Sequence, residues 1–214
     1  MNMKKLTILI LLLASFSFVS EAQMKLGVKA GINMATISGG NNDGAGGIIP
    51  GYQAGIAAEY SFGESFSIQP GFILSGKGSK NAGFLLLGLD SEYTASLNYL
   101  EIPVNAVYNV SDFQIFAGPY LGLGLFGKVR YDNDEISDKD IVFTDNVTEV
   151  PEGMPVNSLD YGLNVGAGYM INEAIQLQVG YGLGLGNLNP EYNGEEPADK
   201  ISNSVIQLSV SYYL

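Results

Sequence analysis

Apolar side chains recur at every second position through eight segments of this chain, and the connections between them alternate long and short. In the first segment Leu26, Val28, Ala30 and Ile32 share one face, while Lys25, Gly27, Lys29, Gly31 and Asn33 share the other. Period two means successive side chains on opposite faces, which is a strand. The same pattern returns around Ile56, Phe72, Val104, Leu121, Val165, Val179 and Val210. Connections run long over 34–50, short over 63–65, long over 77–96, short over 109–112, long over 132–157, short over 171–173 and long over 187–202. Segments of about ten residues joined this way predict an all-β fold, an eight-stranded antiparallel up-and-down transmembrane β-barrel with four long extracellular loops. Pro70, Pro103 and Pro119 fall inside strands, where each removes a ladder donor, so local bulges are expected there.

Alternation alone leaves open which face meets solvent, because a soluble barrel with an apolar interior gives the same period. Three features favour lipid outside. The polar face is mostly Gly, Ser, Gln and Asn, suited to a narrow interior. Aromatics gather at the short-turn ends (Tyr60, Phe62, Phe66, Tyr108, Phe113, Tyr169, Tyr212), with Tyr52 and Tyr161 near the other ends. Two such girdles suit the headgroup regions. Charges avoid the apolar face and crowd into the long loops.

The N-terminus reads as a processing segment. Lys4 and Lys5 precede an apolar run over 6–19, and Ser20-Glu21-Ala22 offers small residues for cleavage after Ala22. A spanning helix needs about 20 apolar residues, so this run is too short to anchor. The expected organisation is a signal peptide over 1–22 and a barrel domain over 23–214. Removing the peptide takes Lys4, Lys5 and Glu21 from a chain of 10 basic and 22 acidic residues, leaving it strongly acidic. That balance argues against nucleic acid as a partner. The absence of Cys excludes lipidation at cysteine and disulfides alike.

An eight-stranded barrel has an interior barely wide enough for its own side chains, so an open pore is not expected. Inward charges must then neutralise one another. The inward set is Lys25, Lys29, Glu59, Glu101, Lys128, Arg130 and Asp160. Hairpin pairing predicts Lys25 beside Glu59, Asp160 beside Lys128 and Arg130, and Tyr120 opposite Glu101. Lys29, reaching across the barrel, is expected to complete a Lys29–Glu101–Tyr120 network plugging the middle.

Motifs with catalytic overtones fail on context. Gly122-Leu-Gly-Leu-Phe-Gly127 matches a dinucleotide pattern, but Lys128-Val-Arg-Tyr-Asp132 continues as strand where a helix is required. Gly71 to Gly78 places Gly78 where a phosphate loop needs Ser or Thr. The acidic loop 132–157 carries Asp132, Asp134, Glu135, Asp138, Asp140, Asp145, Glu149 and Glu152, yet Ser137 and Phe143 occupy the positions where a calcium loop needs Gly and Glu. The chain has no His, which closes His-dependent catalysis and His metal sites. The expectation is a non-enzymatic protein without cofactor or metal.

Several stretches resemble the PorT-like outer-membrane β-barrel family of Bacteroidetes: Gly27-Val-Lys-Ala-Gly-Ile-Asn33, Gln69-Pro-Gly-Phe-Ile-Leu-Ser-Gly-Lys-Gly78, Tyr99-Leu-Glu-Ile-Pro-Val104, Ala117-Gly-Pro-Tyr-Leu-Gly122, Asp160-Tyr-Gly-Leu-Asn-Val-Gly-Ala-Gly168 and 204–214. The resemblance implies location in the outer membrane, with short turns in the periplasm. It carries no catalytic residues, and its namesake is linked to type IX secretion and gliding. The chain departs from many outer-membrane barrels in ending on Leu214 rather than Phe. The expected role is a surface or envelope docking component that meets outer-membrane lipid and a protein partner through acidic loops. The alternative is a narrow transporter for small or apolar solutes along the glycine-rich wall.

Overall fold

The computed structural model describes residues 24–39, 46–81, 92–133, 136–149, 151–197 and 199–214. The expected signal peptide and its cleavage site lie outside the described residues. Eight long strands form the wall: β1 (Met24–Gly39), β2 (Ile49–Phe62), β3 (Phe66–Lys80), β4 (Tyr93–Val110), β5 (Phe113–Tyr131), β9 (Leu159–Met170), β10 (Ile175–Gly184) and β12 (Ile201–Tyr213). Each pairs antiparallel with the next around the ring, β4 pairs β5, and β1 pairs β12 to close it. Between β5 and β9 lie β6 (Lys139–Phe143), β7 (Asn146–Val147) and β8 (Met154–Val156), and between β10 and β12 lies β11 (Glu191–Tyr192).

Outward side chains form a continuous apolar belt. Val28, Ile56, Phe72, Ile115, Val165, Val179 and Leu208 are all more than half exposed, which only a lipid-facing surface tolerates on this scale. Aromatic pairs line its short-turn edge, with Phe66 beside Tyr108 and Phe113 beside Tyr169, ring centroids 5.0 Å apart in each. The turns there are local in origin. Gly63 takes φ +74° after β2, and Asn172 accepts from the backbone N–H groups of Ala174 and Ile175 at 2.9 and 2.8 Å.

The strands run further on the loop side than the alternation suggests. The connection expected over 34–50 narrows to 40–48, and that over 77–96 narrows to 81–92. The cause is an inversion of polarity. On β4, Glu101 and Asn105 point inward below, whereas Tyr99, Leu97, Ala95 and Tyr93 point inward above, and Asn98, Ser96 and Thr94 face out. Above the membrane the outside is water, so the apolar face turns to the interior while the strand continues.

On β5 the inversion needs an extra residue. Partners run Glu101↔Gly122, Leu100↔Leu123 and Tyr99↔Gly124, then Asn98↔Phe126, which leaves Leu125 as a β-bulge. Beyond it Val129 and Tyr131 are buried, while Lys128 and Arg130 are exposed. The bulge is therefore not at a proline. Around Pro70 and Pro103 the ladder is interrupted without a change of register, and Pro119 stays opposite Leu163.

The inverted interior becomes an apolar cap over the barrel. Ile37, Tyr93, Leu97, Tyr99, Val129, Ile141, Met154, Val156, Leu188 and Ile201 pack as one cluster. β6 continues the sheet beside β5 above the start of β9, and β8 pairs parallel with β6. The acidic loop is thus folded across the mouth.

Candidate functional site: a plugged lumen under an acidic platform

Lys77 is the centre of the buried charge, contributed by the part of β3 beyond Gly71 and Gly76. Its ammonium lies 2.9 Å from Asp160 Oδ2 on β9 and is ion-paired with Glu101 on β4. All three side chains are almost fully buried. Asn203 Nδ2 on β12 donates to Asp160 Oδ2 at 3.0 Å, and the Tyr120 hydroxyl on β5 lies 3.4 Å from each Asp160 carboxylate oxygen. The ammonium also stands 4.3 Å from the Tyr120 ring centroid and 5.6 Å from that of Tyr99, within the range of a cation–π contact. Buried charges persist when paired and hydrogen-bonded, and this cluster ties together five strands of the wall.

A second layer lies nearer the short-turn end of the barrel. Lys29 Nζ donates to Gln178 Oε1 at 2.8 Å, Gln178 Nε2 to Gln69 Oε1 at 3.0 Å, and Gln69 Nε2 to Glu59 Oε2 at 2.7 Å. The chain of hydrogen bonds crosses the interior from β1 through β10 and β3 to β2. Between the layers Asn33 Nδ2 donates to Ser75 Oγ and to the carbonyl of Gly76, both at 3.0 Å, and Gln53 donates to Asn33 Oδ1 at 3.1 Å. The cavity beside Lys29, Gln69, Asn105 and Gln178 measures about 20 Å³, room for roughly one water.

Four pairings expected from the sequence differ in the structure. Lys29 hydrogen-bonds Gln178 and meets Glu101 only through a longer-range attraction, and Lys77 takes its place in direct contact with Glu101 and Tyr120. Tyr120 stands opposite Pro103, not Glu101. Lys128 and Arg130 face outward because the Leu125 bulge shifts the alternation, so Asp160 meets Lys77 instead, and Lys128 lies 3.9 Å from the exposed Asp138. Lys25 does sit opposite Glu59 in register, but its ammonium reaches the Glu173 carbonyl at 3.3 Å while Glu59 accepts from Gln69. Lys77, Tyr99 and Asn203 escaped notice because the strand ends were set where polarity inverts, which placed Lys77 and Asn203 at or beyond those ends.

The glycine-rich wall of β9 and β10 does not leave an open path. The Phe116 ring lies over Gly166 and Gly180, where a Cβ on Gly166 would come within 2.5 Å of Cζ. Tyr120 fills the space over Gly162 in the same way, its Cε1 standing 2.8 Å from where that Cβ would be. These glycines are seats for aromatic rings.

Above the cap the two acidic loops are joined. β11 pairs parallel with β7, placing Glu191 opposite Asn146, and Gly194 N–H donates to Asn146 Oδ1 at 3.2 Å. Asp138, Asp140, Asp145, Glu149, Glu152, Glu195 and Glu196 are exposed on the resulting surface. Among the described residues no group of three or more acidic side chains is arranged to hold a metal ion.

A family model described as outer membrane protein beta-barrel domain matches residues 17–189. Among solved structures, Ail, the attachment invasion locus protein of Yersinia pestis, is 10% identical, with 90% of this chain and 99% of that chain covered and a TM-score of 0.49. Neisserial surface protein A is 14% identical over 87% of this chain and 96% of its own, with a TM-score of 0.46. Outer membrane protein W of E. coli is 13% identical over 88% and 97%, with a TM-score of 0.40. No curated protein sequence matches the chain significantly.

Proposed function

The chain belongs to the outer membrane protein β-barrel domain family and resides in the bacterial outer membrane, and from that footing we propose a non-enzymatic docking protein that engages an envelope or surface partner through its acidic extracellular platform. Within the family, Leu100-Glu-Ile-Pro103 and Ala117-Gly-Pro-Tyr120 support a PorT-like member of the Bacteroidetes type.

The observation that carries the reading is the fastening of the loops. β6 is paired to the barrel wall and β7 to β11, so seven exposed carboxylates are held on a folded surface rather than on free loops. A preformed charged surface lowers the ordering cost of binding and steers a basic partner towards it. The narrow-transporter alternative gains less, since the interior is filled by Lys77, Phe116, Tyr120 and the cap.

The test is cross-linking in intact cells, comparing the natural protein with one in which Asp138, Asp140, Asp145, Glu149 and Glu152 are changed to Asn or Gln. A defined envelope protein recovered with the first and lost with the second supports docking. The same proteins recovered from both would overturn it, and steady single-channel conductance would then favour transport.

A further inference from the structure

Of the basic residues after residue 22, Lys25, Lys29 and Lys77 serve the barrel interior or its periplasmic end. Those left are Lys80, Lys128, Arg130, Lys139 and Lys200, all on the extracellular side. Three of these stand together on the outer face of one wall. Lys80 pairs with Thr94 and Thr94 with Arg130, so the two cations share one row, two strand spacings or about 10 Å apart. Lys128 lies two residues below Arg130, opposite Ser96.

Their height is informative. The last large apolar outward residues on this wall are Leu74, Leu100 and Phe126. Asn98 and Gly76 are level with Phe126, and above them come Gly78, Ser96 and Thr94, with Lys80, Lys128 and Arg130. Lys128 is about 7 Å and Arg130 about 13 Å along the strand from Phe126. That is the level at which the hydrocarbon ends and headgroups begin. Carboxylates appear one row further out, at Glu92 and Asp132, and beside the strip, where Asp140 on the neighbouring strand β6 stands directly opposite Lys128 and Asp138 lies two residues before it. The 3.9 Å contact from Lys128 to Asp138, both about half exposed, is a loose one.

The bulge at Leu125 makes this arrangement. Had the strand alternated without a bulge, Lys128 and Arg130 would point into the interior, and Val129 and Tyr131 would point out. Bulges commonly re-aim side chains in this way.

We propose that Lys80, Lys128 and Arg130 form a binding strip for the phosphate-bearing headgroup of an outer-leaflet lipid. Arginine offers a planar pair of donors to phosphate, and the lysines flank it as point charges. In a strongly acidic chain, the strip gives the barrel an attractive contact with the anionic leaflet that its loops would otherwise repel. The strip adjoins the acidic platform at Asp138 and Asp140, but the lipid contact does not rest on the docking proposal.

The experiment uses the purified barrel in detergent micelles, with diphosphoryl lipid A as the probe and native mass spectrometry as the readout. Each of K80Q, K128Q and R130Q should lower retention about fivefold, and the triple variant well over tenfold, since a cation near an anionic surface contributes on that order. K139Q/K200Q, which removes two charges elsewhere on the same side, is the control and should retain lipid normally. Heat-modified gel mobility reports that every variant is folded, which is expected for exposed positions. Equal retention by the triple variant would overturn the proposal. So would equal binding of dephosphorylated lipid A, or full displacement by millimolar inorganic phosphate, which would mark a free-anion site.

Discussion

The ring of Phe143 packs edge-on against that of Tyr99, with centroids 5.5 Å apart and planes at 66°. Phe143 belongs to the acidic loop and Tyr99 to the barrel wall beside Lys77, so this contact couples the folded acidic loop to the buried charge. Its seat is Gly124, where a Cβ would come within 2.2 Å of the Phe143 ring.

Gly124→Ala should therefore unseat Phe143 and loosen the loop, and Phe143→Ala should do the same by removing the ring. A cost of about 2 kcal/mol is expected for either, from lost aromatic packing. Limited proteolysis within 132–158 measures it. The double variant should be no worse than Phe143→Ala alone, because the collision is then absent; additive damage would show that the two residues act separately.

Lys77→Met should be among the most damaging single changes in the barrel. It leaves Glu101 and Asp160 buried without their cation, a loss of about 3–5 kcal/mol. Unfolding in urea from detergent micelles reads this directly. Lys29→Met should cost less, because it breaks one hydrogen bond to a neutral amide and only a longer-range attraction to Glu101. Neutralising all three charges in K77M/E101Q/D160N should recover part of the loss.

Single cysteines test the bulge cleanly, since the chain has none of its own. Cysteines at Lys128 and Arg130 should react on whole cells with a membrane-impermeant maleimide, and cysteines at Val129 and Tyr131 should be protected. The opposite alternation would mean that the strand runs without the extra residue.

Purified protein in planar bilayers should give no steady conductance, because Lys77, Phe116 and Tyr120 occupy the interior beneath the cap. Phe116→Ala and Tyr120→Ala together expose the floor at Gly162, Gly166 and Gly180, and should produce the first measurable ion steps. Silence in the double variant would place the block in the apolar cap.

Legibility followed the physics of the surroundings. Within the lipid belt, strands such as β10 read correctly from sequence because Leu177, Val179, Tyr181 and Leu183 had to face out. Beyond the belt the same strands kept their ladders while the solvent changed, so Tyr93 and Ala95 looked like loop residues when they are core. Lys77 was missed for that reason, and with it the true partner of Asp160. The Leu125 bulge leaves no local mark, since Leu-Gly-Leu-Phe-Gly fits an unbroken strand equally well. Only the partner strand, where Asn98 and Tyr99 meet Phe126 and Gly124, reveals it.

The longest ladder in the wall joins β4 to β5 across a two-residue turn at Ser111 and Asp112, directly opposite the junction of β1 with β12. The consequence is an order of assembly. The β4–β5 hairpin closes the smallest loop of chain for the most pairing, whereas the terminal strands must find each other across the whole sequence. Growth would proceed from that hairpin in both directions around the ring, with the terminal seam zipping last. Paired cysteines across Ile102 and Leu121 should then trap earlier during insertion than a pair across Ala30 and Val210, and the reverse order would place the template at the termini instead.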